Sequence, residues 1–178
     1  KQRGDKIFTC IATNGALGGN INNLSKIRKE EASKGLKQIG KPIFLNLPDG
    51  SLGYKHIHIF KIEKLIKDVS PDLIITHFRK DYHSDHRNLS KIVKNIACHY
   101  IPILYCDTML GFNFNPNYYV DITDFFPNKK KAILCHKSQN PDRFYEMVKI
   151  VNAFRAIQCN LLKNSYVEAF KFEKSFPF

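Results

Sequence analysis

No stretch of this 178-residue chain approaches the roughly 18 consecutive apolar residues that a membrane span requires, so no span is expected. Lys1 to Asp5 are polar and lead straight into a short strand-like run, which gives no expectation of a secretory leader. No CxxC pair occurs. The five cysteines (Cys10, Cys98, Cys106, Cys135, Cys159) are scattered and odd in number. That pattern argues against a disulfide framework and a zinc finger, and it favours a reducing, cytoplasmic compartment. Cys98-His99 and Cys135-His136 are contiguous pairs inside apolar helical patterns, so they read as core cysteines rather than ligands. There is no G-x-G-x-x-G, no P-loop and no G-x-S-x-G nucleophile elbow. Internal repeats, low-complexity tracts and linkers are also missing.

What is present is an ordinary globular composition, 43% hydrophobic and 25% charged, long enough for one domain with a substantial core. The net charge of +12 raises nucleic acid, an anionic surface or an acidic substrate as partners. The lysines, however, are spread along every predicted helix. The only tight run, Lys129-Lys130-Lys131, reads as a solvated helix face without an aromatic-glycine RNA-binding signature. Nucleic acid is therefore not the expected partner.

Strand and helix patterns alternate. Ile7 to Ala12 reads as a strand ending at the turn Thr13-Asn14-Gly15, and a glycine-rich loop, Gly15 to Asn20, leads into a helix through Leu24, Ile27, Ala32, Leu36 and Ile39, with Gly40 as its C-cap. Strands follow over Pro42 to Leu47, Asp72 to Thr76, Ile101 to Tyr105, Tyr118 to Ile122 and Tyr166 to Phe172. Helices are expected over His58 to Val69, from the histidine loop to about His99, from Phe125 to Cys135, and from Arg143 to Leu162. Such alternation implies βαβ units and a mostly parallel sheet in an α/β fold.

The densest chemistry is Asp81-Tyr82-His83-Ser84-Asp85-His86-Arg87, with two histidines and two flanking carboxylates between a strand and a helix. Ser84 or Asp85 would cap that helix. Ligands of open α/β sheets bind beyond the carboxyl ends of the strands, and histidines three apart near a helix start can converge. Two solvated loop histidines are the other reading. The Gly15 to Asn20 loop reads as a βα loop lining the site, with a phosphate cradle as the alternative. Arg28 and Glu31, one turn apart, are either a surface pair or a guanidinium fixed over the site.

The same residues resemble the PIG-L/LmbE family of zinc-dependent N-deacetylases. The family's Asp-x-His-Pro-Asp-His-Arg motif stands here as Asp81 to Arg87, with Ser84 replacing proline. Thr13-Asn14-Gly15 with Gly18-Gly19, Arg28 to Glu31, Asp49-Gly50-Ser51-Leu52, Val120 to Thr123, Lys137-Ser138-Gln139 and Glu168-Ala169-Phe170 also resemble family blocks, in order. The resemblance implies a Rossmann-like three-layer sandwich, one domain over 1–178. It implies removal of an N-acetyl group from an amino sugar or its conjugate, with Zn²⁺ as cofactor. His86 would be a metal ligand. His83, charged in its active form and favoured by Asp85, would be catalytic, stabilising the oxyanion. Arg28, Asp49 and Asp81 would serve the substrate, Asp81 by shaping the loop. The family's first motif, His-Pro-Asp-Asp, with two ligands and the base, does not occur here. Either a segment carrying it precedes Lys1, or metal binding has been lost; the intact second motif favours the former. One confident ligand in these residues leads to an expectation of weak zinc binding. The rival classes are a non-catalytic binding module that kept the pocket, and a basic nucleic-acid binder. Homo-oligomerisation is left open.

Overall fold

A computed structural model describes residues 4–173; Lys1 to Arg3, part of the polar start, lie outside them. The chain divides into two compact units, residues 1–51 with 127–146, and 52–126 with 147–178.

In the first unit a parallel pair, β1 (Cys10–Thr13) and β2 (Ile43–Leu47), is joined through helix α1 (Leu24–Gly35). The register shifts between Ile11 and Thr13, where Asn46 on the facing strand takes a positive φ of 50°. Leu24, Ala32 and Leu47 are its buried apolar anchors. Helix α1 stops at Gly35 rather than near Gly40. A side chain at Gly35 would meet the Ala132 carbonyl oxygen at 3.0 Å, so glycine sits there for close approach and weakens the helix where it ends.

The second unit holds a four-stranded sheet in the order β3 (Ile74–His77), β4 (Ile103–Cys106), β6 (Val167–Glu173), β5 (Tyr118–Asp121). Helices α2 (His56–Val69) and α3 (Ser84–Ala97) precede and follow β3. Strand β4 has neighbours on both edges and reads as a continuous apolar run, with Ile103, Leu104 and Tyr105 all buried. Helices α4 (Phe126–Leu134) and α5 (Pro141–Gln158) lie between β5 and β6 in the sequence.

Among the described residues the α/β class, the six strands and the five α-helices match the sequence reading to within a few residues. A single, mostly parallel sheet does not describe the arrangement. Among the described residues there are two sheets, and two of the three pairings in the larger one, β4 with β6 and β5 with β6, are antiparallel. One helix links the parallel pair β3 and β4, whereas two link the antiparallel pair β5 and β6. Hydrophobic period separates strand from helix but carries no strand direction.

Candidate functional site

Strand β3 delivers His77 at its last position, and a short turn then closes with Asp81 N–H donating to the Phe78 carbonyl at 3.0 Å. Phe78 is buried, edge-on to Tyr105 and Phe114, which fixes the turn to the sheet. Asp81 is buried as well, and its Oδ1 accepts the His83 backbone N–H at 2.9 Å, an Asx turn that aims the chain into α3. The helix is capped by neither Ser84 nor Asp85. His83 is the N-cap residue, its ring Nδ1 accepting the Asp85 N–H at 3.2 Å. An imidazole nitrogen here does the work usually done by a hydroxyl or carboxylate oxygen.

Asp85 falls in the first helical turn, where the helix dipole favours its charge. Its buried carboxylate takes the Leu52 N–H at 3.0 Å, and Asn88 donates to the Leu52 carbonyl at 2.8 Å. Both backbone groups of Leu52 are thus held by α3. Arg87 clamps the loop from the other side, its Nη1 donating to the carbonyls of Asp81 (2.8 Å) and Tyr82 (2.6 Å).

These constraints bring three imidazoles together. His77 and His86 stack with centroids 3.8 Å apart and planes 1° from parallel, and His83 lies 4.7 Å from His86 at 30°. Burial first, then the charges of His86 and His83, push the His77 pKa down to about 4 against the opposing pull of Asp81. His77 is therefore neutral at neutral pH, with a lone pair to offer. His86 Nδ1 lies 3.2 Å from Asp81 Oδ1, yet this buried nitrogen makes no hydrogen bond. Leaving such an atom unsatisfied ordinarily costs about 1–3 kcal/mol. Coordination of a cation would satisfy it. One ligand atom each from His77, Asp81 and His86 lies within 4.8 Å of the others. Two imidazoles and a carboxylate, leaving a position open, are a donor set suited to a catalytic divalent ion such as zinc. The residues present fit a metal.

Of the residues singled out in the sequence, Asp81, His83, Asp85 and His86 come together here. Asp81 accepts the His83 N–H within the loop and is also one of the three ligand-type groups. His77 was overlooked. Its one signal is a histidine closing the strand that leads into the histidine motif.

Arg28 and Asp49 belong to the other unit. Arg28 donates to the carbonyls of Gly15 (2.8 Å) and Gly18 (3.2 Å), while Asp49 accepts the Leu17 N–H at 3.0 Å. Together they brace the glycine loop. A side chain at Gly18 would meet the Arg28 guanidinium and displace it from the loop carbonyls it braces. Glu31 is buried and accepts both the N–H and the hydroxyl of Ser138 at 2.7 Å, so neither surface exposure nor pairing with Arg28 describes it.

A family model described as PIG-L: GlcNAc-PI de-N-acetylase matches residues 1–97, from the glycine loop through the whole histidine motif. This chain belongs to the PIG-L family. Among solved structures, the PIG-L chain is similar to the N,N'-diacetylchitobiose deacetylase of Pyrococcus horikoshii, at 22% identity and a TM-score of 0.80 over 98% of this chain and 75% of that one. It is similar also to GalB, the 4-carboxy-2-hydroxymuconate hydratase of Pseudomonas putida, at 17% identity and 0.84, covering 99% and 87%. A third is the conserved protein TT1542 of Thermus thermophilus, at 20% and 0.76, covering 95% and 82%. These likenesses establish the fold. In this chain the His77–Asp81–His86 group gathers at and just beyond the carboxyl end of β3.

Proposed function

We propose that this protein is a metal-dependent hydrolase that removes the N-acetyl group from an amino sugar or its conjugate. The observation that carries the reading is the convergence of His77, Asp81 and His86 in a chain of the PIG-L family. The family's printed description and the name of the Pyrococcus enzyme both point to N-acetylglucosamine derivatives, which supports the substrate class. All five cysteines are free thiols, which suits a cytoplasmic location, and among the described residues no helix is long and apolar enough to cross a membrane. Likenesses covering 95% or more of this chain support one catalytic domain over 1–178.

We assign Zn²⁺ to His86, with His77 and Asp81 beside it. Bound there, such an ion supplies Lewis acidity toward a carbonyl group and toward water. The chain's own residues do the rest. His83 Nδ1 accepts the helix-capping N–H, which places the ring proton on Nε2. The ring therefore offers its Nε2 proton as one donor to the oxygen on which charge develops. Asp85 holds that geometry through its N–H to His83 and its carboxylate to Leu52. Arg28 and Asp49 serve substrate binding through the Gly15–Gly18 loop that they fix.

The test is acetate release from N-acetylglucosamine conjugates, followed before chelation, after chelation, and after zinc is restored. Release that disappears and returns with the metal is the expected result. Substrate binding without acetate release would instead favour a non-catalytic binding module.

A further inference from the structure

An imidazole stands at or near the start of each of helices α2 and α3, and both are tied to the short segment Leu52-Gly53. At α3, His83 Nδ1 accepts the Asp85 N–H. In the first turn of α2, His58 is 1% exposed, and its Nδ1 accepts the Gly53 N–H at 3.2 Å. Three side chains grip the segment between them. The Asp85 carboxylate takes the Leu52 N–H at 3.0 Å, and the Asn88 amide donates to the Leu52 carbonyl at 2.8 Å. His58 holds the N–H of that same peptide. Gly53 has a φ of 89°, and a Cβ there would stand 3.3 Å from the Asn88 Cβ, so backbone and space both call for glycine. Bracing the start of α2 would take the His58 contact alone. Holding both polar groups of one peptide, from two helices, fixes where Leu52 stands against Asp85.

We infer that His58 is a positioning residue for His83, acting through the Leu52–Gly53 peptide and Asp85 to hold the His83 ring where amide hydrolysis needs its donor. The inference rests on the deacetylase reading for the identity of that reaction. The link is a contiguous set of hydrogen bonds, from His58 to Gly53, from Leu52 to Asp85, and from Asp85 to His83. Without the His58 acceptor the half-buried Gly53 N–H must find another partner, which draws Leu52 away from the Asp85 carboxylate. Asp85 then gains freedom in the first turn of α3, and with it the N–H that fixes the His83 ring. Displacing a donor that acts in the transition state lowers turnover and leaves substrate binding largely intact.

Two substitutions separate positioning from plain support. Asn places an amide oxygen close to where Nδ1 stands, whereas Leu fills the volume and accepts nothing. In the zinc-loaded protein, His58→Leu should lower kcat for acetate release from methyl N-acetyl-β-glucosaminide about tenfold, with KM and zinc content near wild type. His58→Asn should keep kcat, even where its smaller side chain lowers the melting temperature. Hydrogen exchange of the Asp85 amide should quicken severalfold in His58→Leu and stay near wild type in His58→Asn. If His58→Leu does not fold, Asn88→Ala, which frees the carbonyl of the same peptide at a half-buried position, should show the same split between kcat and KM. The inference is overturned if kcat follows the melting temperature across the variants, or if His58→Asn loses as much turnover as His58→Leu. Asp85 exchange that is alike in all of them overturns it too. Wild-type protein that releases no acetate removes the deacetylase reading instead, and the exchange comparison then decides by itself whether His58 governs the His83 cap.

Discussion

The imidazoles of His77 and His86 lie face to face, 3.8 Å between centroids and 1° from parallel, although one closes a strand and the other opens a helix. Two stacked imidazoles cannot both carry a proton without repulsion, and His77 is driven to the neutral form by burial and by His86. A neutral His77 ring beside a buried carboxylate is poised for a cation. His77→Ala should therefore weaken zinc binding by at least about tenfold, a loss of the size seen when groups supporting a metal site are removed. Equilibrium dialysis with elemental analysis measures it. Unchanged zinc affinity would take His77 out of the site.

The same environment predicts how the metal-free protein responds to acid. His77 has a folded pKa of about 4 against an ordinary 6.5. As pH falls below about 6.5, the unfolded chain takes up this proton before the folded one, so stability contributed by the neutral ring is lost progressively down to about 4. Urea denaturation of the chelator-treated protein at about pH 7.5 and about pH 4.5 should show a decline that is smaller in His77→Asn. Identical declines would mean that other groups dominate.

His83 is tied to the helix by its Nδ1, which accepts the Asp85 N–H. His83→Ala should lower turnover by about 10²–10³, the usual loss for one donor to a developing oxyanion, with zinc content retained. KM should move much less, because a transition-state contact adds little to ground-state binding. Loss of zinc in His83→Ala would make it a ligand instead.

Asp85→Ala should act on stability. It strips the buried Leu52 N–H of its acceptor and removes the favourable charge in the first turn of α3. The expected cost is about 1–3 kcal/mol, read as a shift in urea midpoint. Wild-type stability in this variant would show that the 52–85 contact contributes little.

The candidate site's residue types were legible in the sequence more readily than how they are joined. Among the described residues, strand and helix periods located the six strands and five α-helices but not the three short 3-10 turns, and the crowded Asp81–Arg87 motif follows the end of β3. His77 escaped notice because its partner stands nine positions on, and only the turn fixed by Phe78 and Asp81 brings the two rings together. The His83 cap escaped because capping preferences favour Ser84 and Asp85. Arg28 bonds to backbone carbonyls, which leave no mark in a sequence, so its loop-bracing role emerges only in three dimensions. Strand direction was equally hidden, since β6 alternates like any other strand yet runs against β4.

The central claim is that His86 holds a metal on which amide hydrolysis depends. Zinc content and acetate release from an N-acetylglucosamine conjugate, measured in parallel on wild type and His86→Ala, test it most directly. The expected result is that both quantities are present in the wild type and fall together in the variant. Acetate release that persists in a zinc-free His86→Ala protein would contradict the claim.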